Sequence, residues 1–274
     1  MIKLLRAGFT RLRKNKLFWL LTVFSIGLAL FMIYTQYSDM KKYEEVIEVE
    51  QLMLNYSMMV GIVIAIFTSL FLGVEYSDGT IRNKICIGHK RVNIYLSNLI
   101  IVTLTSLFSY ILFIGIVASI GIPFFGTITF PILKLLMLFG CIFATVIAYS
   151  SIFTFIAMII SNKTINAIVS IMLAFGLMMN AMICFSKLEA PKTIQEATIV
   201  DGETKIEEVP NPKYPSEKQK KLYRTMLDIN PAGQMLQIAG RIVPNLSILP
   251  LYSLGIIVVS TGTGLVLFKK KELK

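Results

Sequence analysis

The sequence predicts an all-α polytopic membrane protein. It should have six spans, an interfacial helix at the N-terminus, a short amphipathic helix between spans two and three, and one large outer segment between spans five and six. Three observations predict this. The 274 residues are 55% hydrophobic and only 16% charged, with a mean hydropathy of +0.71, too apolar for a soluble chain of this size. The apolar residues fall in separate runs of roughly 18 to 25, and about 20 helical residues are needed to cross ~30 Å of hydrocarbon. Finally, Lys and Arg collect beside alternate loops, as they do on the cytoplasmic side of membrane proteins.

Taking the elements in order, residues 1–16 place Ile2, Leu5, Phe9 and Leu12 at helical spacing opposite Arg6, Arg13 and Lys16, which suits a helix lying on the inner leaflet. The spans are read at 17–35, 56–74, 96–120, 132–160, 165–185 and 248–268. The first run is longer than a signal-peptide core, and Tyr34-Thr35-Gln36 is no small-residue cleavage site, so an uncleaved span is expected. The fourth exceeds one crossing, so tilt or an extension past the interface must absorb the excess. Between spans one and two, Glu44, Glu45, Glu48 and Glu50 suggest a solvated helical extension. Residues 186–247 form the one large hydrophilic region. Within it, Thr193 to Val209 is rich in β-formers around Asp201-Gly202 and predicts a hairpin. Ser216 to Asp228 predicts a serine-capped amphipathic helix, and Ala232 to Val243 a weakly charged piece lying in or dipping into the outer interface. Residues 248–274 supply the last span and a basic tail.

Charge sets the expected orientation. Of the 27 Lys and Arg, fifteen fall at the N-terminus, in the loops after spans two and four, and in the tail, against three acids there. That side carries +12 and the other −1, which accounts for the net +11. Both termini are therefore expected in the cytoplasm of a cell, a bacterial one, with the lipid bilayer as partner. Because the charge is split into short clusters beside spans, a nucleic-acid partner is not expected. Cys86, Cys141 and Cys184 give no disulfide framework.

Much chemistry is missing. No Asp, Glu, Lys or Arg lies in a span interior, which weakens a proton- or sodium-driven transporter. His89 is the one histidine, with no metal-ligand spacing around it, so no metal site and no catalytic residue is expected. There is no phosphate-binding GxxxxGK[ST] loop. The polar groups inside the spans are mild: Tyr110, Tyr149 and Thr154, with Met178 and Met179 as adaptable apolar surface, form a possible cargo path, though packing accounts for such residues equally well.

The loop after span two carries the most information. Ser77 or Asp78 can cap a short helix that puts Ile81 and Ile85 on one face, turns Arg82 and Lys84 elsewhere, and ends at Gly88. Here Glu75-x-x-x-Gly79-Thr80-Ile81-Arg82, followed by Lys90 and Arg91, resembles the permease subunits of type-2 ATP-binding-cassette (ABC) exporters. The basic start, the six spans and the outer segment before span six share the likeness. It implies that the stub is a coupling helix, spanning about 77–88, seated in a groove of a separate ABC ATPase. Glu75, Gly79, Thr80, Ile81 and Arg82 would then be interface residues, with Asp78, Lys84 and Ile85 beside them. It further implies a second permease subunit, identical or homologous. ATP and Mg would be bound by the partner, leaving no cofactor in this chain. The rival expectation is a sensor or scaffold that transports nothing and binds a ligand through its outer segment.

Overall fold

Asn15 divides the basic N-terminal segment from the first span. It sits in extended backbone, and its Oδ1 accepts the Leu17 N–H at 2.8 Å, so one helix stops and the next begins at a single residue. The chain, in a computed structural model that describes residues 1–44, 46–200 and 203–272 (the side chains of 197–200 and 203–207 excepted), is built almost wholly of helices. In order, α1 spans Ile2–Lys14, α2 Lys16–Tyr43, α3 Val49–Asn55, α4 Ser57–Ser77, α5 Thr80–Cys86 and α6 Arg91–Ile116. After a π-turn at Val117–Gly121 come α7 Ile122–Phe125, α8 Ile132–Ile159 and α9 Lys163–Leu188. A hairpin of β1 Thr193–Val200 and β2 Glu203–Pro210 precedes α10 Glu217–Ile229, α11 Pro231–Ala239 and α12 Leu249–Lys270.

Six helical stretches are long and apolar enough to cross a membrane: Lys16–Tyr43, Val49–Ser77, Arg91–Phe125, Ile132–Ile159, Lys163–Leu188 and Leu249–Lys270. They fall where the apolar runs predict them. The third is prolonged by the π-turn just before Pro123, whose ring excludes the carbonyl four residues back and forces the ladder to reset.

Burial divides α1 differently from its sequence pattern. Leu4, Gly8 and Leu12 form the stripe packed against α6, whereas Ile2 and Phe9 lie exposed on another face. The expected single apolar face of Ile2, Leu5, Phe9 and Leu12 is thus split, because the tertiary contact selects the i, i+4, i+8 row. The core likewise has two parts. One, at the end where the basic loops gather, joins Leu4 and Leu12 to Phe67, Phe71, Ile81, Ile94, Tyr95 and Phe268. The other fills the opposite half around Tyr56, Tyr110, Phe113, Ile142 and Phe153.

The segment between the last two spans follows its predicted elements. β1 and β2 pair antiparallel from Thr193 opposite Pro210 to Val200 opposite Glu203, while the turn at Asp201-Gly202 lies outside the described residues. Ser216 caps α10 in a reciprocal box with Gln219. Helix α11 is buried along most of its length among α4, α8 and α9. Its Gln234 side chain accepts the hydroxyls of Thr145 on α8 and Ser253 on α12, each at 2.7 Å, and donates to the Asp228 carbonyl at 2.7 Å.

One loop departs from expectation. Glu50 is no solvated acid: it is 1% exposed, and its Oε1 accepts the Thr129 hydroxyl at 2.8 Å and the Thr129 and Phe130 N–H groups at 3.3 and 2.9 Å. Glu48 pairs with Arg241 just past α11. The run of acids looks solvated in sequence because its partners lie 80 to 190 residues away. Glu45 is outside the described residues.

Candidate functional site

Two left-handed glycines shape the loop after span two. Gly79 has φ +65 and lets the chain leave α4 and enter α5 at once; the Gly79 N–H donates to the Tyr76 carbonyl at 3.1 Å. Gly88, with φ +92, ends the stub: its N–H donates to the Ile85 carbonyl at 2.9 Å and that of His89 to the Lys84 carbonyl at 3.1 Å, a Schellman closure. The N-cap is therefore Gly79 itself rather than Ser77 or Asp78. Asp78 instead terminates α4, and the Thr80 hydroxyl donates to the Glu75 carbonyl at 2.9 Å.

Glu75 organises everything around this stub. At 1% exposure it faces inward, with Oε1 shared by Arg11 of α1 and Lys84 of α5 and Oε2 accepting the Asn98 amide of α6 at 2.8 Å. One carboxylate thus joins four helices. A buried carboxylate is tolerated only when paired and hydrogen-bonded, and both oxygens are satisfied here. Arg11 lies 4.0 Å above the Phe71 ring. Burial pulls its guanidinium below its ordinary pKa while Glu75 opposes that shift, and it stays a cation.

The tail of span six docks beside this node. Arg91, at the start of α6, donates Nη1 to the carbonyls of Phe268 at 3.0 Å, Lys269 at 3.3 Å and Lys271, the orphan acceptors of a helix C-terminus. Lys271 donates to the Tyr76 hydroxyl and the Met158 carbonyl, each at 3.0 Å, and its burial pushes its pKa down to about 8.

These contacts sort the residues expected at a partner interface. Glu75 and Ile81 are enclosed, the latter in the basic-end core, so their side chains position α5 from inside. Gly79, Thr80, Lys84 and Ile85 are half-buried, and Asp78 and Arg82 are exposed. With Asn83, Cys86 and Ile87, 78% exposed, the last two make the open face of the stub. Arg11, Asn98 and Lys271 escaped sequence reasoning, and Arg91 was read only as part of the basic end of the loop. A lone arginine on the inward row of α1 and a lone amide in the apolar run of span three were the available signals.

Of the residues expected on a cargo path, three are packed in the core and two lie on α9. Tyr110, Tyr149 and Thr154 are packed in the core, with Tyr110 stacked on Tyr56 at 5.7 Å and donating to the Met53 carbonyl, and Tyr149 stacked on Phe153 at 5.8 Å. Met178 and Met182 border a void of about 10 Å³, room for one water, and Met179 lies on the outer surface of α9. Helical periodicity marks an inward side chain without saying whether it meets a neighbour or a lumen.

Among the described residues there is no cluster of metal-ligating side chains. Residues 4–180, from α1 through most of α9, match the family model described as ABC-2 family transporter protein. No curated protein matches the chain.

Proposed function

This chain belongs to the ABC-2 family of transporter proteins, and on that premise we propose that it works as the permease of an exporter, moving an amphipathic or apolar cargo outward. It is a transport subunit of an ABC transporter whose ATPase is a separate partner. In the proposed assembly two such subunits, identical or homologous, stand over two ATPase subunits that grip α5 from the cytoplasm. One observation carries the reading: α5 is fixed from inside by Glu75 to α1, α4 and α6, while Arg82, Asn83, Cys86 and Ile87 are left open. A push on that open face is delivered to three helices at once. An exposed isoleucine beside an arginine also has the composition of an interface anchor.

Co-purification tests it. Arg82→Glu combined with Ile87→Asp should abolish capture of the ATPase by the tagged permease, at unchanged yield and melting temperature. Undiminished capture overturns the assignment of α5. Ile81→Asp is no substitute, since it places a charge in the basic-end core.

A further inference from the structure

Spans four and six pack together, and along one side of the pair runs an apolar groove of about 610 Å³. Ile152 and Phe155 of α8 form one wall, and Tyr252, Gly255 and Val259 of α12 the other. Gly255 has nothing within 4 Å of where a Cβ would stand, so bare backbone widens the groove at that turn. Ile229, the last residue of α10, closes the end away from the basic loops.

The apolar lining does not stop there. Leu222, Met226 and Ile229 are exposed at i, i+4 and i+7 of α10, so a strip of apolar surface runs from that helix into the groove. Lys218 and Lys221, both exposed, flank that strip on one side. Nearby acids are occupied: Glu217 pairs with Lys220 at 2.8 Å, and Asp228 accepts from Gln237 at 3.1 Å.

We propose that this groove holds the acyl chain of an anionic single-chain amphiphile whose headgroup rests on the basic face of α10. The volume fits, being within the ~300–1,000 Å³ of sites that take one small ligand. A second copy's helix would leave the cations of α10 unanswered. A tail gains little on passing from hydrocarbon to an apolar groove, so the headgroup charge decides what stays. The inference rests on the groove and α10 alone, independent of direction of transport or the ATPase.

The test uses the delipidated full chain in detergent, titrated with lysophosphatidylglycerol or lysophosphatidylcholine and read by native mass spectrometry. One lysophosphatidylglycerol per chain is expected, at least tenfold tighter than the zwitterionic lipid. Each Lys or Arg near an anionic headgroup is worth a factor of about five, so Lys218→Glu with Lys221→Glu should erase the preference. Gly255→Trp, whose ring enters open space and should leave the melting temperature unchanged, should weaken both lipids at least tenfold. Equal binding of the two lipids by the unmutated chain, or full lysophosphatidylglycerol binding by Gly255→Trp, overturns the proposal. So does disulfide formation between copies carrying Val259→Cys in a Cys86→Ser background, which would identify a second copy as the occupant.

Discussion

Glu75 and Glu50 are both 1% exposed, yet they are held in opposite ways. Glu75, at the basic end, meets two cations and an amide supplied by α1, α5 and α6. Among the described residues Glu50, at the other end, meets only neutral donors from one loop, Thr129 and Phe130, and its Oε2 has no partner. Charge pairing welds helices that must move together. The Thr129 and Phe130 donors hold Glu50 to a single loop, and parting them strands one carboxylate rather than a carboxylate and two cations. The basic end is thus tied through one carboxylate to four helices, whereas at the other end each acid holds a single local partner group.

The contrast is sharpest when each acid is removed. Glu75→Ala strands Arg11 and Lys84 and should cost about 3 kcal/mol, the low end for a broken buried pair because both cations are partly exposed. Thermal unfolding in detergent measures it, and a wild-type melting curve would dissolve the idea of a node. Glu75→Gln should remain damaging, since the charge is lost. Next in size, Glu50→Ala should cost ~1–3 kcal/mol for the donors left unmet, whereas Glu50→Gln, which still accepts from Thr129 and Phe130, should melt within a degree or two of the parent. Equal damage from glutamine at both positions would break the comparison. Smaller again is Gly79→Ala, which forces a side chain into left-handed backbone at a cost of about 1 kcal/mol. It should lower cargo-stimulated ATP turnover more than stability.

The smallest effect is on pH. Lys271 has its pKa lowered to about 8 on folding, so between about 8 and its ordinary value near 10.5 the unfolded chain holds more protons than the folded one. Docking of the tail should therefore tighten as pH rises through that window and show no dependence from this group below it. Hydrogen exchange at residues 268–272 follows the change, and Lys271→Gln should flatten it.

The spans were legible because length and hydropathy alone decide what can cross hydrocarbon, and the stub because Gly79, Gly88 and the Ile81/Ile85 spacing are local signals. The chemistry of the node was not. Glu75 was named only as an interface residue, because Arg11 and Asn98 lie 64 residues before it and 23 after it, and only the packing of α1 on α6 brings them together. Glu50 was hidden by its acidic neighbours for the same reason. Tyr110, Tyr149 and Thr154 show the converse case, in which periodicity marks inward polar groups and only the structure shows which neighbours they pack against.

The clamp of Arg91 on the foot of α12 gives that helix a fulcrum. The arginine stands only five residues beyond the end of α5, so whatever displaces the stub tugs directly on the base of a rod of 22 residues, about 33 Å long. A tilt of about 5° at that base swings the far tip through roughly 3 Å. The tip carries Tyr252 and Gly255 against α8, so a small stroke at one surface becomes a change in the width of the cleft at the other.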